Sequence, residues 1–376
     1  MADLHSSQSA NPQAAHAAPP EFARAERSVD LTPALKLLLA GRTLTAEQMA
    51  AAFDTMMIGQ ASQGEIGAFL ALLATRCPAP SEILGAASVM RAHVDPVRCS
   101  RSPESIVDTA GTGGAPKTFN VSTAAAIVAA AAGHRPPGGV GGGIAVAKHG
   151  NRSRTGRGSA EVLEKLGVNV HADRAAQGRC LDECGVCFCF AIHHHPATKH
   201  VMPVRQALGF PTIFNLLGPL TNPAGARRQL MGVYDRRFLQ PIAEALRDLG
   251  AIHAMVVHSN DGLDELSISA SSNVFRVRHG EVTEEIISPR QLGLTMAPLE
   301  SVVAKDLDDA VRVIRGVLEG TEKGPARDMT LLNAAATLVV GDVAGSLEHG
   351  IDLAAKAVDR GAAKHTLESL ARLSQD

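Results

Sequence analysis

The chain has 376 residues, of which 45% are hydrophobic and 20% charged, and its formal net charge is −2. This composition is typical of a packed globular protein with one large domain or two smaller ones, and it excludes a fibre or a small disulfide-stapled scaffold. Aromatic residues make up 3% and Trp is absent, so we expect a small-molecule partner and not a nucleic-acid surface built from basic grooves and stacking rings.

No segment predicts a membrane span or an export signal. The longest uninterrupted apolar run, Ala124 to Ala132, is about half as long as the ~18 residues that a span needs. The N-terminus lacks a basic stretch followed by an apolar one, so we expect a cytoplasmic protein. Six Cys, four of them crowded between Cys180 and Cys189, fit reduced thiols better than a disulfide framework.

The first stretch with helical periodicity begins at Leu31. Residues 1 to about 29 show no apolar repeat, and we expect a mobile tail there. From Leu31 to Leu39 apolar residues recur on one helical face, and Thr32 and Pro33 suit the N-cap and the first helical position. This pattern predicts the first helix.

Two capping boxes predict the helices that follow. Thr45 to Gln48 and Ser62 to Glu65 each place a hydroxyl three residues before a Gln or Glu, and each precedes apolar residues at helical spacing. A fourth helix is expected after Pro80-Ser81. Residues 31 to about 100 therefore predict a small helical bundle without a strand.

The chain after Pro103 alternates between short β-branched runs and longer helical patterns. Strands are predicted at 106–107, 144–147, 186–190, 254–258 and 274–277, and helices at 124–132, 160–166, 242–249 and 307–318. The predicted fold class is α/β, with a small N-terminal helical domain and a larger α/β domain around a mostly parallel central sheet.

Two anion-binding patterns follow the first predicted strand. Asp108 to Gly114 reads Asp-Thr-Ala-Gly-Thr-Gly-Gly, and Asn120 to Thr123 reads Asn-Val-Ser-Thr at the head of an apolar helix. Glycines let successive N–H groups converge on an anion, and a helix N-terminus adds its dipole and polar side chains. A Gly-rich turn alone is more often only a tight turn, but the two patterns together predict a phosphate site.

A basic and polar stretch, Lys148-His-Gly-Asn-Arg-Ser153, follows the predicted strand 144–147. In an open α/β sheet, ligands bind at the carboxyl ends of strands, so this loop should face the same crevice as the Gly-rich turn. Lys and Arg would supply charge and donors for phosphates, while Asn and His could orient a polar substrate. A solvated basic loop is the alternative for this segment taken alone.

An acidic stretch, Asp261-Gly-Leu-Asp-Glu265, follows the predicted strand 254–258. Adjacent carboxylates repel unless a cation neutralises them, and Mg²⁺ is commonly held by one or two carboxylates together with substrate phosphates. The sequence therefore indicates Mg²⁺ beside a polyphosphate, with an ordinary acidic turn as the alternative.

The run His193-His-His-Pro196 lies close to the cysteines, so a mixed Cys/His metal site has to be weighed. The spacing argues against it, because Cys187 and Cys189 alternate with Phe in a predicted buried strand, where Cys serves as a small apolar residue. His195 and Arg205 are close to three helical turns apart and could share a face. Arg205 would suit a carboxylate.

Two segments rich in Gly and Pro carry no clear chemistry by themselves. Asn215 to Pro223 could form the wall of a pocket or merely connect two elements. Gly138 to Gly143 lacks the Lys-Ser/Thr pair of a phosphate-binding P-loop and predicts a flexible surface loop without a catalytic role.

Taken together and in this order, these segments resemble the anthranilate phosphoribosyltransferases of tryptophan biosynthesis, from about Leu31 to the C-terminus. The resemblance implies a helical domain at 31–104, joined by about 190–210, and a phosphoribosyl pyrophosphate (PRPP)-binding α/β domain at 105–189 and 211–376. It also implies a homodimer through the helical domain, with PRPP and anthranilate as substrates and Mg²⁺ as the cofactor.

Carried over residue by residue, the resemblance implies site contacts for both substrates and the metal. PRPP contacts are implied at Gly111, Thr112, Gly113, Gly114, Thr118, Asn120, Ser122, Thr123, Lys148 and Ser153. Anthranilate contacts are implied at Gly111, His149, Asn151, His195, Arg205, Gly218 and Pro219. Mg²⁺ ligands are implied at Ser122, Asp264 and Glu265.

This chain departs from the family pattern in two places. Ala115 stands where the family commonly has an Asp after Gly-Thr-Gly-Gly, and the stretch 115–117 is one residue shorter than usual. We therefore expect Lys117 to contact a phosphate oxygen directly. Residues 134–143 look like an insertion of about ten residues, which we expect to bulge away from the site because long surface insertions are well tolerated.

The implied reaction displaces pyrophosphate from C1 of the ribose by the amino group of anthranilate. An aryl amine is already unprotonated at neutral pH, so no general base is assigned. One alternative is a pyrimidine nucleoside phosphorylase-like enzyme, against which the Asp264-Glu265 pair argues because phosphorolysis supplies no polyphosphate to demand Mg²⁺. The other is a non-catalytic nucleic-acid-binding relative, which the net charge of −2 disfavours.

Overall fold

The computed structural model describes residues 30–135, 143–153 and 156–375. The predicted tail, 1–29, lies outside the described residues, as does the greater part of the predicted surface loop and insertion, at 136–142. Within the described ranges, no helix combines the length and the apolar character that crossing a membrane requires.

Four helices without a strand make up residues 30–100, as predicted. They are α1 Thr32–Leu39, α2 Ala46–Met57, α3 Gln63–Ala74 and α4 Pro80–Ala92. Both predicted capping boxes are confirmed, at the starts of α2 and α3. The details of α1 differ: Leu31 and not Thr32 is the N-cap, and Leu39 is 72% exposed because the helix ends there and its buried face stops at Leu38.

In the described part of the chain, seven strands form one sheet in the order β3-β2-β1-β4-β5-β6-β7. They are β1 Ile106–Asp108, β2 Ala145–Gly150, β3 Val186–Phe190, β4 Arg228–Gly232, β5 His253–Ser259, β6 Ser272–Arg278 and β7 Glu281–Ile287. The pairs among β1 to β5 are parallel, and the β5–β6 and β6–β7 pairs are antiparallel. The predicted mostly parallel α/β sheet is confirmed.

Helices cover both faces of this sheet. They are α5 Val121–Gly133, α6 Ser159–Lys165, α7 Arg174–Glu183, α8 Ala191–His194, α9 Met202–Leu208, α10 Ile213–Leu217, α11 Leu239–Asp248, α12 Leu307–Leu318, α13 Pro325–Val340, α14 Leu347–Asp359 and α15 Ala362–Leu373. The central helices α5 and α13 pack against each other and are buried almost all round. Such helices lack a polar face and therefore belong in the core.

The buried apolar side chains form two clusters on opposite sides of the sheet. One joins α5 and α12 to α15 with β1, β2 and β3, and it takes in the buried Cys187 and Cys189 of β3. The other joins α1 to α4 with α11 and with one face of β4 to β6. Val201 and Val204, next to and within α9, belong to this second cluster, so the segment before residue 210 packs with the N-terminal helices.

The strand order places a crevice at the carboxyl ends of β1 and β4. From β1 the chain adds β2 and then β3 on one side of β1, whereas β4 and β5 are added on the other side. The strand order therefore changes direction between β1 and β4. Ligands of open α/β sheets bind at such a reversal. The first part of the predicted Lys148 loop is strand and not loop, because β2 continues beyond Ala147 to Gly150. These residues lie at the same edge of the sheet.

Candidate active site

One cavity of about 1030 Å³ opens at this edge of the sheet. Its wall is formed by the Gly-rich turn after β1, the start of α5, the end of β2 with the loop after it, α9 with the segment that follows, and the acidic loop after β5. The Gly-rich turn, the Lys148 loop, the acidic loop, Arg205 and part of the Asn215 to Pro223 segment therefore reach the same space, whereas the His193 to Pro196 run does not.

The Gly-rich turn is attached to the end of β4. The N–H of Thr112 donates to the carbonyl of Gly232 at 2.9 Å, and the N–H of Tyr234 donates to the Thr112 hydroxyl at 3.0 Å. Gly114 has φ +98° and lies so close to the Tyr234 ring that a Cβ would meet it at 3.4 Å. Glycine is required here because L side chains rarely adopt this backbone conformation.

The acidic pair, Asp264 and Glu265, lies close to the end of β4. A Cβ on Gly232 would lie 1.6 Å from the carbonyl oxygen of Asp264, and a Cβ on Gly111 would lie 3.0 Å from its carboxylate. Only glycines allow the acidic loop, the Gly-rich turn and β4 to approach this closely. The Asp264 carboxylate is therefore held beside the predicted phosphate-binding turn.

Glu265 reaches the N-terminus of α5. Its carboxylate accepts hydrogen bonds from the Ser122 N–H at 3.1 Å and from the Thr118 hydroxyl at 3.3 Å. Burial, and then the neighbouring Asp264, raise the pKa of Glu265 to about 8, and burial also raises the pKa of Asp264. An anion at a helix N-terminus is favourable, but the two close carboxylates repel, and this arrangement suits a cation between them.

Lys148 is the buried cation beside this pair. Its ammonium donates to the Ser122 hydroxyl at 3.0 Å, and burial lowers its pKa. Asp108, at the end of β1, accepts from the N–H groups of Ala110 and His149, each at 3.1 Å, and burial raises its pKa to about 6. These groups hold the end of β2 against the end of β1.

His149 is the next residue of β2 and it faces the segment after α10. Its Nδ1–H donates to the Gly218 carbonyl at 2.9 Å, and its Nε2 lies 3.3 Å from Nε2 of His195. Burial lowers the pKa of His149 to about 3 and that of His195 to about 4. Both imidazoles are therefore neutral at physiological pH.

Arg205 of α9 supplies a cation on another wall of the cavity. Its guanidinium lies 4.8 Å from the centre of the Phe214 ring, and no acid of the described chain forms an ion pair with it. Burial lowers its pKa. A half-buried guanidinium that stacks on an aromatic ring and has no carboxylate partner is suited to binding a carboxylate from solution.

Most of the predicted site residues line this cavity. They are Gly111, Thr112, Gly113, Gly114, Thr118, Asn120, Ser122, Lys148, His149, Asn151, Ser153, Arg205, Gly218, Pro219, Asp264 and Glu265. Thr123 and His195 do not line it: Thr123 is buried in α5 with its hydroxyl unpaired, and His195 is buried behind His149.

Sequence reasoning missed several residues of the wall. Arg157 and Asn333 line the cavity, as do Met202, Gln206 and Phe210 around Arg205. The position of Met202 and Gln206 on α9, within one helical turn of Arg205, is a signal that could have found them. Asn333 lies in the middle of α13, far along the chain, and no local pattern marks it.

The cysteine cluster is apolar packing in this fold. Cys180, Cys184, Cys187 and Cys189 are all buried, and the sulfurs of Cys187 and Cys189 lie 3.6 Å apart. Across the part of the chain that the structure describes, no three His, Cys, Asp or Glu side chains are arranged to hold a metal ion.

Comparison with known proteins matches both parts of the chain to one family. Residues 103–364 match the α/β domain of a glycosyl transferase family, and residues 32–94 match its helical bundle domain. A relative named anthranilate phosphoribosyltransferase from Methylobacillus flagellatus is 45% identical over 351 residues, which cover 92% of this chain and 99% of the relative. The chain belongs to the anthranilate phosphoribosyltransferases.

Solved structures of this family have the same fold. The enzyme from Thermus thermophilus superposes with a TM-score of 0.83 at 38% identity, covering 91% of this chain and 99% of that one. The enzyme from Saccharomyces cerevisiae in complex with PRPP and Mg superposes with a TM-score of 0.79 at 25% identity, covering 92% and 98%. The resemblance found in the sequence is thus confirmed, and the chain is an enzyme of the glycosyltransferase class.

Proposed function

We propose that this chain transfers the 5-phosphoribosyl group of PRPP to the amino group of anthranilate, a step of tryptophan biosynthesis, and releases pyrophosphate. The observation that carries the proposal is the content of one cavity: an acidic pair, an anion-binding turn with a buried lysine, and an arginine without a carboxylate partner. These are the groups that a metal, a polyphosphate and an aromatic carboxylate would each need.

The phosphates of PRPP would lie against the Gly-rich turn, the start of α5 and Lys148. Backbone N–H groups and a helix N-terminus favour an anion. Lys148 adds a positive charge whose attraction to a phosphate is little screened by water because the side chain is buried, although burial also lowers its pKa. Asn120, Ser122, Thr118 and Ser153 would add polar contacts on the same wall. Thr123 does not line the cavity, so we leave it out of the proposed PRPP contacts.

Mg²⁺ fits the donor set of Asp264, Glu265 and Ser122. All three offer oxygen atoms, the Ser122 N–H already contacts the Glu265 carboxylate, and Mg²⁺ takes oxygen ligands from one or two carboxylates with substrate phosphates completing its shell. Burial raises the pKa of both acids even though Lys148 lies nearby, so a cation bound between them would favour their ionised forms. When bound, the metal would supply positive charge to the leaving pyrophosphate.

Anthranilate would bind between α9 and the residues proposed to hold the phosphates of PRPP. Arg205 would pair with its carboxylate, and Asn151, His149 and the Gly218-Pro219 segment would line its position. Attack by the amine nitrogen forms the N–C1 bond as the C1–O bond to pyrophosphate breaks, with inversion at C1, and the nitrogen then loses one proton to solvent. The lowered pKa of His149 agrees with a reaction that needs no general base.

Anthranilate fluorescence tests this proposal. The purified protein is mixed with anthranilate, PRPP and Mg²⁺, and each component is omitted in turn or Mg²⁺ is removed with a chelator. We expect loss of fluorescence only when all components are present. Persistent fluorescence while PRPP still binds would mean that the acceptor is a different amine and that the Arg205 assignment is wrong.

Two alternative functions can be tested with the same purified protein. A pyrimidine nucleoside phosphorylase-like activity would release base from nucleoside with free phosphate and without Mg²⁺, which the Asp264-Glu265 pair in the cavity disfavours. A nucleic-acid-binding role would give a gel shift that weakens steeply with salt. Neither alternative accounts for Arg205.

The domain limits, the dimer and the location are further parts of the proposal. The packing of α9 on α3 supports assigning about 190–210 to the helical domain with 31–104, leaving 105–189 and 211–376 as the α/β domain. A homodimer through the helical domain is the part of the proposal that rests on the family resemblance alone. Light scattering would measure the oligomeric state, and cell fractionation would test the predicted cytoplasmic location.

A further inference from the structure

His149 lines the cavity, and every polar atom of its ring is already engaged inside the protein. A carbonyl oxygen can only accept, so the 2.9 Å contact with Gly218 requires the proton on Nδ1 of His149. The Nε2 of a neutral imidazole protonated on Nδ1 is an acceptor. Its contact at 3.3 Å is Nε2 of His195, which must therefore carry a proton and donate it.

His195 is held in the orientation that this bond needs. The Thr221 hydroxyl lies 3.0 Å from the Gly218 carbonyl and 3.2 Å from the Leu217 carbonyl, and its single hydrogen points to this pair of acceptors. Its oxygen also lies 3.5 Å from Nε2 of His195, so it flanks the shorter contact of that nitrogen with His149. His195 follows α8 and its own N–H donates to the carbonyl of Ala191. One chain of hydrogen bonds thus runs from His195 through His149 to the segment that contains Gly218.

We infer that His195 is a positioning residue that acts through His149: its Nε2–H fixes the tautomer and the ring plane of His149, and thereby the Gly218-Pro219 wall where the acceptor amine would bind. The inference rests on the proposed function for its substrate, and it changes the role of His195 from a substrate contact to a support. His195 does not line the cavity, whereas His149, Gly218 and Pro219 do.

The arrangement also makes His149 unable to exchange a proton with a substrate. Both ring nitrogens are used, and the lowered pKa of the imidazole follows first from burial and then from His195. The other titratable or charged groups around the ring are Lys148 and His194, together with Asp108, which accepts from the His149 backbone N–H. None of them offers His149 a proton acceptor at the cavity surface.

Substitution of His195 tests this inference with a matched control. His195→Leu removes the donor, whereas His195→Gln keeps an N–H at the end of the side chain. In the Leu variant we expect the KM for anthranilate to rise about tenfold, because one buried hydrogen bond is lost. The kcat and the KM for PRPP should stay within about twofold of wild type. In the Gln variant the KM for anthranilate should return to the wild-type value. His194→Leu is the control, because His194 is also buried but its ring donates to the Asp95 carbonyl at 2.8 Å and forms no hydrogen bond with His149 among the described residues.

Nitrogen-15 NMR of the histidine rings gives a readout that needs no substrate. The His149 signals are assigned by their loss in His149→Asn, and we expect Nδ1 protonated and Nε2 unprotonated from pH 5 to pH 8 in wild type, with this single tautomer lost in His195→Leu. A wild-type His149 protonated on Nε2, an unchanged KM in His195→Leu, or an equal effect of His194→Leu would overturn the inference. If the wild-type protein does not convert anthranilate, the proposed function is wrong. The NMR result would still decide the role of His195.

Discussion

At the scale of single residues, Lys117 adds a charge to the cavity wall, where the sequence predicted a contact with a phosphate oxygen. The ammonium donates a hydrogen bond to the Ser153 hydroxyl, and burial followed by Arg157 lowers its pKa. Glu161, whose charge acts on the pKa of Lys117, accepts hydrogen bonds from the N–H groups of Ser153 and Gly158, and position 115 is Ala. A partly buried cation that forms no ion pair within the described residues is suited to a phosphate oxygen.

The substitution Lys117→Ala should weaken PRPP binding. A charge-assisted hydrogen bond contributes about 1.5 kcal/mol or more, so we expect the Kd measured by calorimetry to rise about tenfold. Lys356→Ala, which removes an exposed lysine of α14 paired with Asp352, is the matched control and should bind normally. Equal PRPP affinity in Lys117→Ala and wild type would refute a phosphate contact.

At the scale of elements, the buried helix α13 supports the acidic loop through one side chain. Asn333 is 2% exposed, and its amide accepts from the Leu266 N–H at 3.0 Å and donates to the Leu266 carbonyl at 2.8 Å. Leu266 directly follows Glu265. The rigid helix thus fixes the backbone that carries the proposed Mg²⁺ ligands.

Asn333→Ala should raise the Mg²⁺ concentration required for PRPP binding. The change leaves both polar groups of Leu266 unpaired and frees the loop, so we expect about tenfold more Mg²⁺ at half-saturation in calorimetric titrations. Thr330→Val serves as the control, since the Thr330 hydroxyl bonds only to the Ala326 carbonyl in the same buried helix. If the two variants shift the titration equally, general destabilisation of α13 and not support of the acidic loop explains the effect.

At the scale of the whole molecule, the end of the sheet opposite the cavity is held by a buried histidine. His253 of β5 donates to the Asp342 carboxylate at 3.3 Å and accepts from Arg276 at 3.1 Å. Asp342 also pairs with Arg228 and Arg278, so this network joins β4, β5 and β6 to the residues after α13. Burial, followed by Arg278, lowers the pKa of His253 to about 4.

This histidine should make stability depend on pH. The unfolded chain binds a proton at His253 below the ordinary pKa of about 6.5, whereas the folded chain does so only near pH 4. The contribution of neutral His253 to the free energy of unfolding is therefore complete above pH 6.5, and it is lost as the pH falls from 6.5 towards 4. Urea unfolding should show wild type losing about 2 kcal/mol more than His253→Gln between pH 7.5 and pH 5. Parallel pH curves for the two proteins would contradict the lowered pKa.

Local signals in the sequence were sufficient for the starts of α2 and α3 and for the Gly-rich turn. Capping boxes such as Ser62 to Glu65 act over four residues, and the Gly-rich turn needs only backbone freedom and its neighbours, so both could be predicted. The strand β4 and the helix α13 were not predicted. The edge strand β7, whose residues are mostly polar and exposed, was missed because it lacks the apolar alternation by which strands are recognised.

By itself the sequence determined which chemistries this protein can carry: an anion-binding turn, a basic loop, an acidic pair and an arginine, each encoded within a few residues. The tertiary structure decided which side chains meet. It brought Arg205 and Asn333 to the cavity, placed His195 behind His149, and left Thr123 in the core. The physical reason is that these positions depend on packing between elements distant in the chain, where strand order and helix burial set distances that no local pattern contains.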